Sequence, residues 1–196
     1  MKRWLSGPDR QQVPFGLQAA IGGDQEIPRY PPFISGLPMC PPERLLETQQ
    51  DIIHQIKDTL GLSTEEYKEY IKPLIENCAA FVHLLPASEA HHHRGAGGLF
   101  RHSLEVAAYA AKFAEGKIFA FGKAPQERKE EEPRWIVAAF TAALMHDIGK
   151  AATDMAVTDS TGKLHWAPYL DTLWGWGSKN KVDRYFVRWH DNRHKN

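Results

Sequence analysis

The sequence predicts an all-α domain with a small β-hairpin and an extended, Pro-rich N-terminal arm. Three observations lead there. Apolar residues recur at helical spacing over 43–60, 63–85, 99–115 and 134–148. After Lys150 that texture gives way to Met155-Ala156-Val157-Thr158, a Gly-containing turn and Lys163-Leu164-His165-Trp166. Pro28, Pro31, Pro32, Pro38, Pro41 and Pro42 crowd the start, and prolines at that density prevent helix.

Residues 1–42 read as an arm that rests on the domain through Tyr30, Phe33, Ile34 and Leu37; residues 43–196 read as the helical domain. Leu45, Leu46, Ile52, Ile53, Ile56 and Leu60 form the stripe of a first helix, ended by Gly61. Ser63 with Glu66 is a capping box that opens the next helix. Its stripe runs through Tyr67, Ile71, Leu74, Cys78 and Val82; Pro73 predicts a kink and Pro86 a stop. In the helix over 99–115, Ala107, Ala108, Ala110 and Ala111 permit close approach of a neighbour. The charged run Glu127 to Glu132 reads as a solvated loop or short exposed helix. Residues 134–148 are apolar nearly all round, which predicts a central, buried helix. Met155 to Trp166 reads as a β-hairpin, and a short helix is expected around 168–176. Residues 181–190 are amphipathic, with Val182, Tyr185, Phe186 and Trp189 on one side, as in a terminal helix docking its aromatics.

Composition narrows the function classes. The chain has 196 residues, about one domain's worth. Formal net charge is zero, so a global basic field for nucleic acid is absent and any such surface must be local. Cys40 and Cys78 form no CxxC motif, which argues against a thiolate zinc site or disulfide framework and fits a reducing, cytoplasmic setting. No signal peptide is evident, and no stretch approaches the ~20 apolar residues of a membrane span. There is no GxxxxGK[ST] loop, so ATP-driven unwinding by this chain is not expected.

The chemistry concentrates in histidines. His146 and Asp147 close the apolar stretch at 134–148 and are followed by Gly149 and Lys150. Burial of an unpaired carboxylate is costly, so Asp147 needs a partner: Lys150, Arg101 or a metal. His102 opens the helix whose alanines permit close packing, which would bring it to ligand distance of His146 and Asp147. Three protein ligands from two helices make a site for a divalent metal (Mn, Fe, Mg or Zn) with an open position. A metal so held polarises phosphate and activates water near neutral pH. Upstream lies His91-His92-His93-Arg94-Gly95-Ala96-Gly97-Gly98. In an extended loop His91 and His93 would point together and His92 away. The glycines allow close backbone approach to phosphate or to a metal-bound ligand. From Lys179 to Lys195, Lys179, Lys181, Arg184, Arg188, Arg193 and Lys195 outnumber Asp183 and Asp191, with Tyr185, Phe186 and Trp189 interleaved. Cations of that kind track phosphates and aromatic rings stack on bases. The same pattern also suits an amphipathic helix docked on the core. His190 and His194, one helical turn apart, are possible additional ligands.

His102 followed by His146-Asp147-Ile148-Gly149-Lys150 resembles the HD superfamily of metal-dependent phosphohydrolases. The resemblance is closer to one branch, the MobH-class conjugative relaxases, also described as a TraI-type helicase domain. It is carried by Tyr30-Pro31-Pro32-Phe33 with Gly36-Leu37-Pro38, by Phe81 to Ser88 running into His91–Leu99, by Arg101–Glu105, and by Arg184-Tyr185-Phe186 with Arg193-His194-Lys195.

The resemblance implies an HD-like helical bundle and a DNA-processing role in a conjugative plasmid or integrative element. The expected reaction is metal-dependent nicking of DNA at a transfer origin, single-stranded or nicked, alongside other conjugation proteins. His102, His146 and Asp147 would hold the metal, with His91 and His93 completing a second site. Lys150 and Arg94 would neutralise phosphate oxygens, and His92 would act as an acid/base group. Lys181, Arg184, Arg188, Trp189 and Arg193 would bind DNA. Relatives are considerably longer, so the chain is expected to be an N-terminal part of a larger protein. HD proteins usually supply a last aspartate after the His-Asp pair; Asp154, Asp159, Asp171, Asp183 and Asp191 are available, and spacing selects none of them. Two other readings stay open: a non-catalytic HD scaffold that docks DNA or a partner, and an HD nucleotide phosphohydrolase.

Overall fold

The computed structural model describes residues 31–191. Tyr30, Arg193 and His194 therefore lie outside the described residues, as does most of the expected arm. The architecture is mainly helical with a small antiparallel sheet. Among the described residues no helix is long and apolar enough to cross a membrane.

The expected first helix is two. Helix α1 spans Pro42–Glu47 and α2 spans Gln50–Leu60. The break falls where the Thr48 hydroxyl donates back to the Leu45 carbonyl at 2.7 Å, a local bond that competes with helix continuation. Gln49 is thereby turned inward and is 5% exposed. The Ser63–Glu66 capping box is present, with Glu66 N–H on Ser63 Oγ at 3.2 Å and Ser63 N–H on Glu66 Oε2 at 2.9 Å. It opens α3, Thr64–Glu66, which widens into a π-helical turn over Tyr67–Ile71 before α4, Lys72–Val82. Pro73 explains the widening, because its ring excludes the carbonyl one turn back.

Helix α5, Gly98–Glu115, and helix α6, Pro125–Met145, form an antiparallel hairpin across the exposed loop 116–124. Ala107, Ala108 and Ala111 of α5 are buried, and α5 packs on both α6 and α2. The charged run is helical: Pro125 sits at the first turn and Glu127 Oε2 accepts from Ala124 N–H at 3.1 Å, so α6 starts earlier than the apolar pattern indicates. The expectation that 134–148 is buried all round fails. Only Phe140 and Leu144 are fully buried, and Trp135 is 48% exposed. One face of α6 packs on α5 and α2 while Ala138 and Ala142 face solvent.

After the short α7, Lys150–Thr153, the chain enters β2, Met155–Asp159. The expected hairpin closes through a single bridge, Thr158 to His165; the full partner of β2 is instead β3, Arg184–Trp189. The segment 181–190 is thus a strand where a helix is expected. Tyr185, Val187 and Trp189 alternate inward, and the sheet order is β1-β3-β2 with β1 at Leu37–Pro38. Leu37 is fully buried and Phe33 packs on the core, but Ile34, expected to dock, is 82% exposed. The short helix α8 spans Leu173–Lys179, later than expected, because Thr172 caps it by accepting from Gly175 N–H at 2.9 Å.

A buried polar network ties the sheet to α4. His83 ends α4 at φ +46° and is 0% exposed. Its Nε2 donates to the Cys40 carbonyl at 2.8 Å, which leaves Nδ1 to accept from the Tyr185 hydroxyl at 2.9 Å. Tyr185 Oη in turn accepts the Leu84 N–H at 3.1 Å. Burial pushes the His83 imidazole down from 6.5 to about 4. The unfolded chain binds that proton at the ordinary value and the folded chain resists it, so stability is complete above pH 6.5 and falls as pH drops toward 4. The expected loss is about 3 kcal/mol across that window. Thermal melts against pH test it: in His83→Gln that portion of the profile should flatten, and an unchanged profile contradicts the assignment.

Candidate metal centre

The hairpin of α5 and α6 places the start of one helix beside the end of the other. His102 lies in the first turns of α5, and His146 and Asp147 follow the last residue of α6. Their ligand atoms all lie within 4.8 Å of one another, the sole such group among the described residues. Asp147 Oδ2 is 3.4 Å from His102 Nε2 and 3.3 Å from His146 Nε2. The rings of His102 and His146 are 5.2 Å apart.

The donor set suits a divalent cation. His146 Nδ1 donates to the Ala143 carbonyl at 2.6 Å, which leaves Nε2 as a bare lone pair aimed toward Asp147. Burial, and then the neighbouring His93, hold the His102 pKa below its ordinary value, favouring the neutral, ligating form. Lys150 Nζ donates to Asp147 Oδ2 at 2.6 Å, so the carboxylate has a cationic partner beside the imidazoles.

The histidine run divides. His91 N–H donates to Ser88 Oγ at 3.0 Å, and that hydroxyl donates to the His92 carbonyl at 2.9 Å. This turn replaces the expected extended loop, so His91 and His92 are exposed while His93, at φ +55°, turns inward. The expected pairing of His91 with His93 is therefore not seen. The His93 ring lies 5.2 Å from that of His102, and its Nε2 contacts Glu105 Oε2 at 3.3 Å. Glu105 also receives Arg101 Nε at 2.8 Å, and its carboxyl is held down at about 2, chiefly by His93. Arg101 reaches on to Gln49 Oε1 at 2.9 Å. Glu105 and Gln49 escape a search of the sequence for ligands, although the Arg101–Glu105 spacing is that of a helical ion pair.

Backbone contact at Gly98 locks this loop to α5. A Cβ at Gly98 would lie 1.9 Å from the His93 carbonyl oxygen, which itself accepts from Ala87 N–H at 2.9 Å. Gly98→Ala is expected to cost roughly 3 kcal/mol, at the upper end for overpacking, because backbone must move. Denaturant unfolding measures it; a cost under about 1 kcal/mol contradicts the contact.

Other expected residues lie apart from the cluster. Arg94 is exposed. Asp159 caps its own turn through Lys163 and Leu164 N–H, Asp171 accepts from Thr172 N–H, and Asp154 accepts from Thr153 Oγ1. None of the available aspartates joins the cluster. His190 follows β3 and offers no helical face to a metal. Lys181 is exposed at φ +53° ahead of β3. Arg188 is exposed on β3, whereas Trp189 packs against the core, since strand geometry turns it inward. Arg184 Nη1 donates to the Ser35 and Gly36 carbonyls at 3.3 Å.

Fold and site together define a mainly helical domain with a His-His-Asp cluster where the start of one helix packs beside the end of the next. The chain belongs to the TraI_2 family, described as "Putative helicase", whose match covers residues 36–196. That membership makes it a TraI-type domain related to conjugation, in which DNA and the conjugation machinery are involved. No curated protein matches it.

Proposed function

We propose that this domain is an HD-like, metal-dependent phosphodiesterase of the MobH relaxase type, which nicks DNA during conjugative transfer in the cytoplasm. One observation carries the reading: His102 and the His146-Asp147 pair, 44 residues further along the chain, converge with ligand atoms within 4.8 Å. These residues would hold a divalent cation, which when bound supplies Lewis acidity toward phosphate and an activated water. The chain's own groups do the rest. The Ala143 carbonyl fixes the His146 tautomer, and the His93 ring, paired with Glu105, lies against His102. Lys150, which donates to Asp147, would turn its ammonium to pair with a phosphate oxygen, and Arg94 would be the second cation on phosphate. His92 is the candidate acid/base group, and His91, also exposed, the candidate for a further ligand.

Metal analysis of the purified chain tests the proposal. Near-stoichiometric Mn, Fe, Zn or Mg is expected, together with cleavage of a labelled DNA strand in preference to a panel of nucleotides. Absence of all four metals after reconstitution removes the catalytic reading and favours a docking scaffold. Turnover of nucleotides alone favours the nucleotide phosphohydrolase.

A further inference from the structure

As a strand, β3 sorts its side chains by parity. Tyr185, Val187 and Trp189 face the core, which places Arg184, Phe186 and Arg188 on the opposite face. Cross-strand partners share a face, so Phe186 aligns with Thr158, and Thr158 with His165, in one row across the sheet. Arg188 aligns with Ala156 in the next row. The row residues Thr158 and Ala156 are small, leaving a shelf between the Phe186 ring and the exposed His165. Phe186 is only partly buried, one edge of its ring abutting Gly36. Arg184 clamps that turn through the Ser35 and Gly36 carbonyls. Among the described residues, the outward strand positions Ala156, Thr158, Arg184, Phe186 and Arg188 include no carboxylate; Asp183 and Asp191 lie beyond the two ends of β3.

We propose that this outer sheet face is a binding platform for single-stranded DNA. Bases stack on Phe186 and His165 across the Thr158 shelf, and backbone phosphates lie on Arg188 and, toward the strand's entry, Lys181. An aromatic ring flanked by arginines on alternate strand positions offers a π-face and cations together, the combination that single strands require. Arg184 is a positioning residue, since its guanidinium holds the turn beneath the ring. The choice of DNA as the polymer rests on the proposed function above; the platform itself does not involve the metal cluster.

The test is anisotropy of a fluorescein-labelled oligothymidylate of about 20 nucleotides, longer than the ~4–16 that a comparable platform occupies, titrated with the full chain in EDTA. Phe186→Leu, which keeps apolar bulk without a π-face, is expected to weaken binding about tenfold, and Phe186→Tyr to restore it. Arg188→Gln should weaken binding and reduce the salt slope by about 0.7. Circular dichroism melts confirm that each variant is folded. Unaltered affinity in folded Phe186→Leu and Arg188→Gln overturns the platform, as does equal affinity for duplex. Hydrolysis of bis(p-nitrophenyl) phosphate with added metal is measured on the same proteins. Strand binding without hydrolysis in the unmodified chain sinks the nuclease reading and leaves the platform standing. Hydrolysis with strand binding indifferent to both substitutions does the reverse.

Discussion

Replacing Asp147 with alanine is expected to abolish metal retention and to slow phosphodiester hydrolysis more than about 100-fold. The figure is a floor, because second-layer partners of metal ligands already cost ~10–100-fold and Asp147 would be a ligand itself. Its Oδ2 is the shared acceptor of the cluster, 3.4 Å from His102 Nε2, 3.3 Å from His146 Nε2 and 2.6 Å from Lys150 Nζ. Without it the Lys150 ammonium faces two imidazoles with no anion among them, and a cation is repelled. Lys150→Met is the informative companion. It keeps all three donors and removes the ammonium that a metal must displace, so metal retention should persist while hydrolysis falls. Metal content by mass spectrometry and initial rates on bis(p-nitrophenyl) phosphate read both. Full occupancy in Asp147→Ala would falsify the ligand assignment.

Tyr185→Phe is expected to destabilise the fold by about 2–4 kcal/mol while leaving the cluster's chemistry untouched. The hydroxyl accepts the Leu84 N–H at 3.1 Å and donates to His83 Nδ1 at 2.9 Å, both in the fully buried interior. Its removal strands two polar atoms, at roughly 1–3 kcal/mol each, with little change of shape. For a domain of this size the melting temperature should drop by roughly 5–15 °C. A shift under about 2 °C, read by calorimetry, contradicts this account of the network.

Local signals in the sequence set much of this structure. The Ser63–Glu66 box, the widened turn ahead of Pro73 and the alanine-lined contact of α5 all follow from spacing within a turn or two. The helix pair carrying His102, His146 and Asp147 was legible for the same reason: small residues on one helix and an apolar run on the next. What stayed hidden depends on partners far along the chain. Val182, Tyr185, Phe186 and Trp189 fit a helical stripe, and the alternating Tyr185, Val187 and Trp189 fit a strand equally well. Pairing with β2 and with Leu37–Pro38 decides between them. That choice moves Trp189 inward and Phe186 outward, which revises the expected DNA contacts. The His83 network joins residues 40, 83 and 185, so no local pattern announces it. His93 was visible among three histidines, but only the turn at Ser88 determines which of them faces His102.

The antiparallel α5–α6 hairpin has a practical consequence. His102 and the loop 116–124 sit at opposite ends of α5, about 20 Å apart at 1.5 Å per residue. The loop is a remote handle, with Phe121 81% exposed at its surface. A fluorophore, an affinity peptide or a surface-immobilisation linker inserted there would leave the cation-binding end open to solution. The same separation lets the protein be tethered by its blunt end while single DNA molecules are presented to the other.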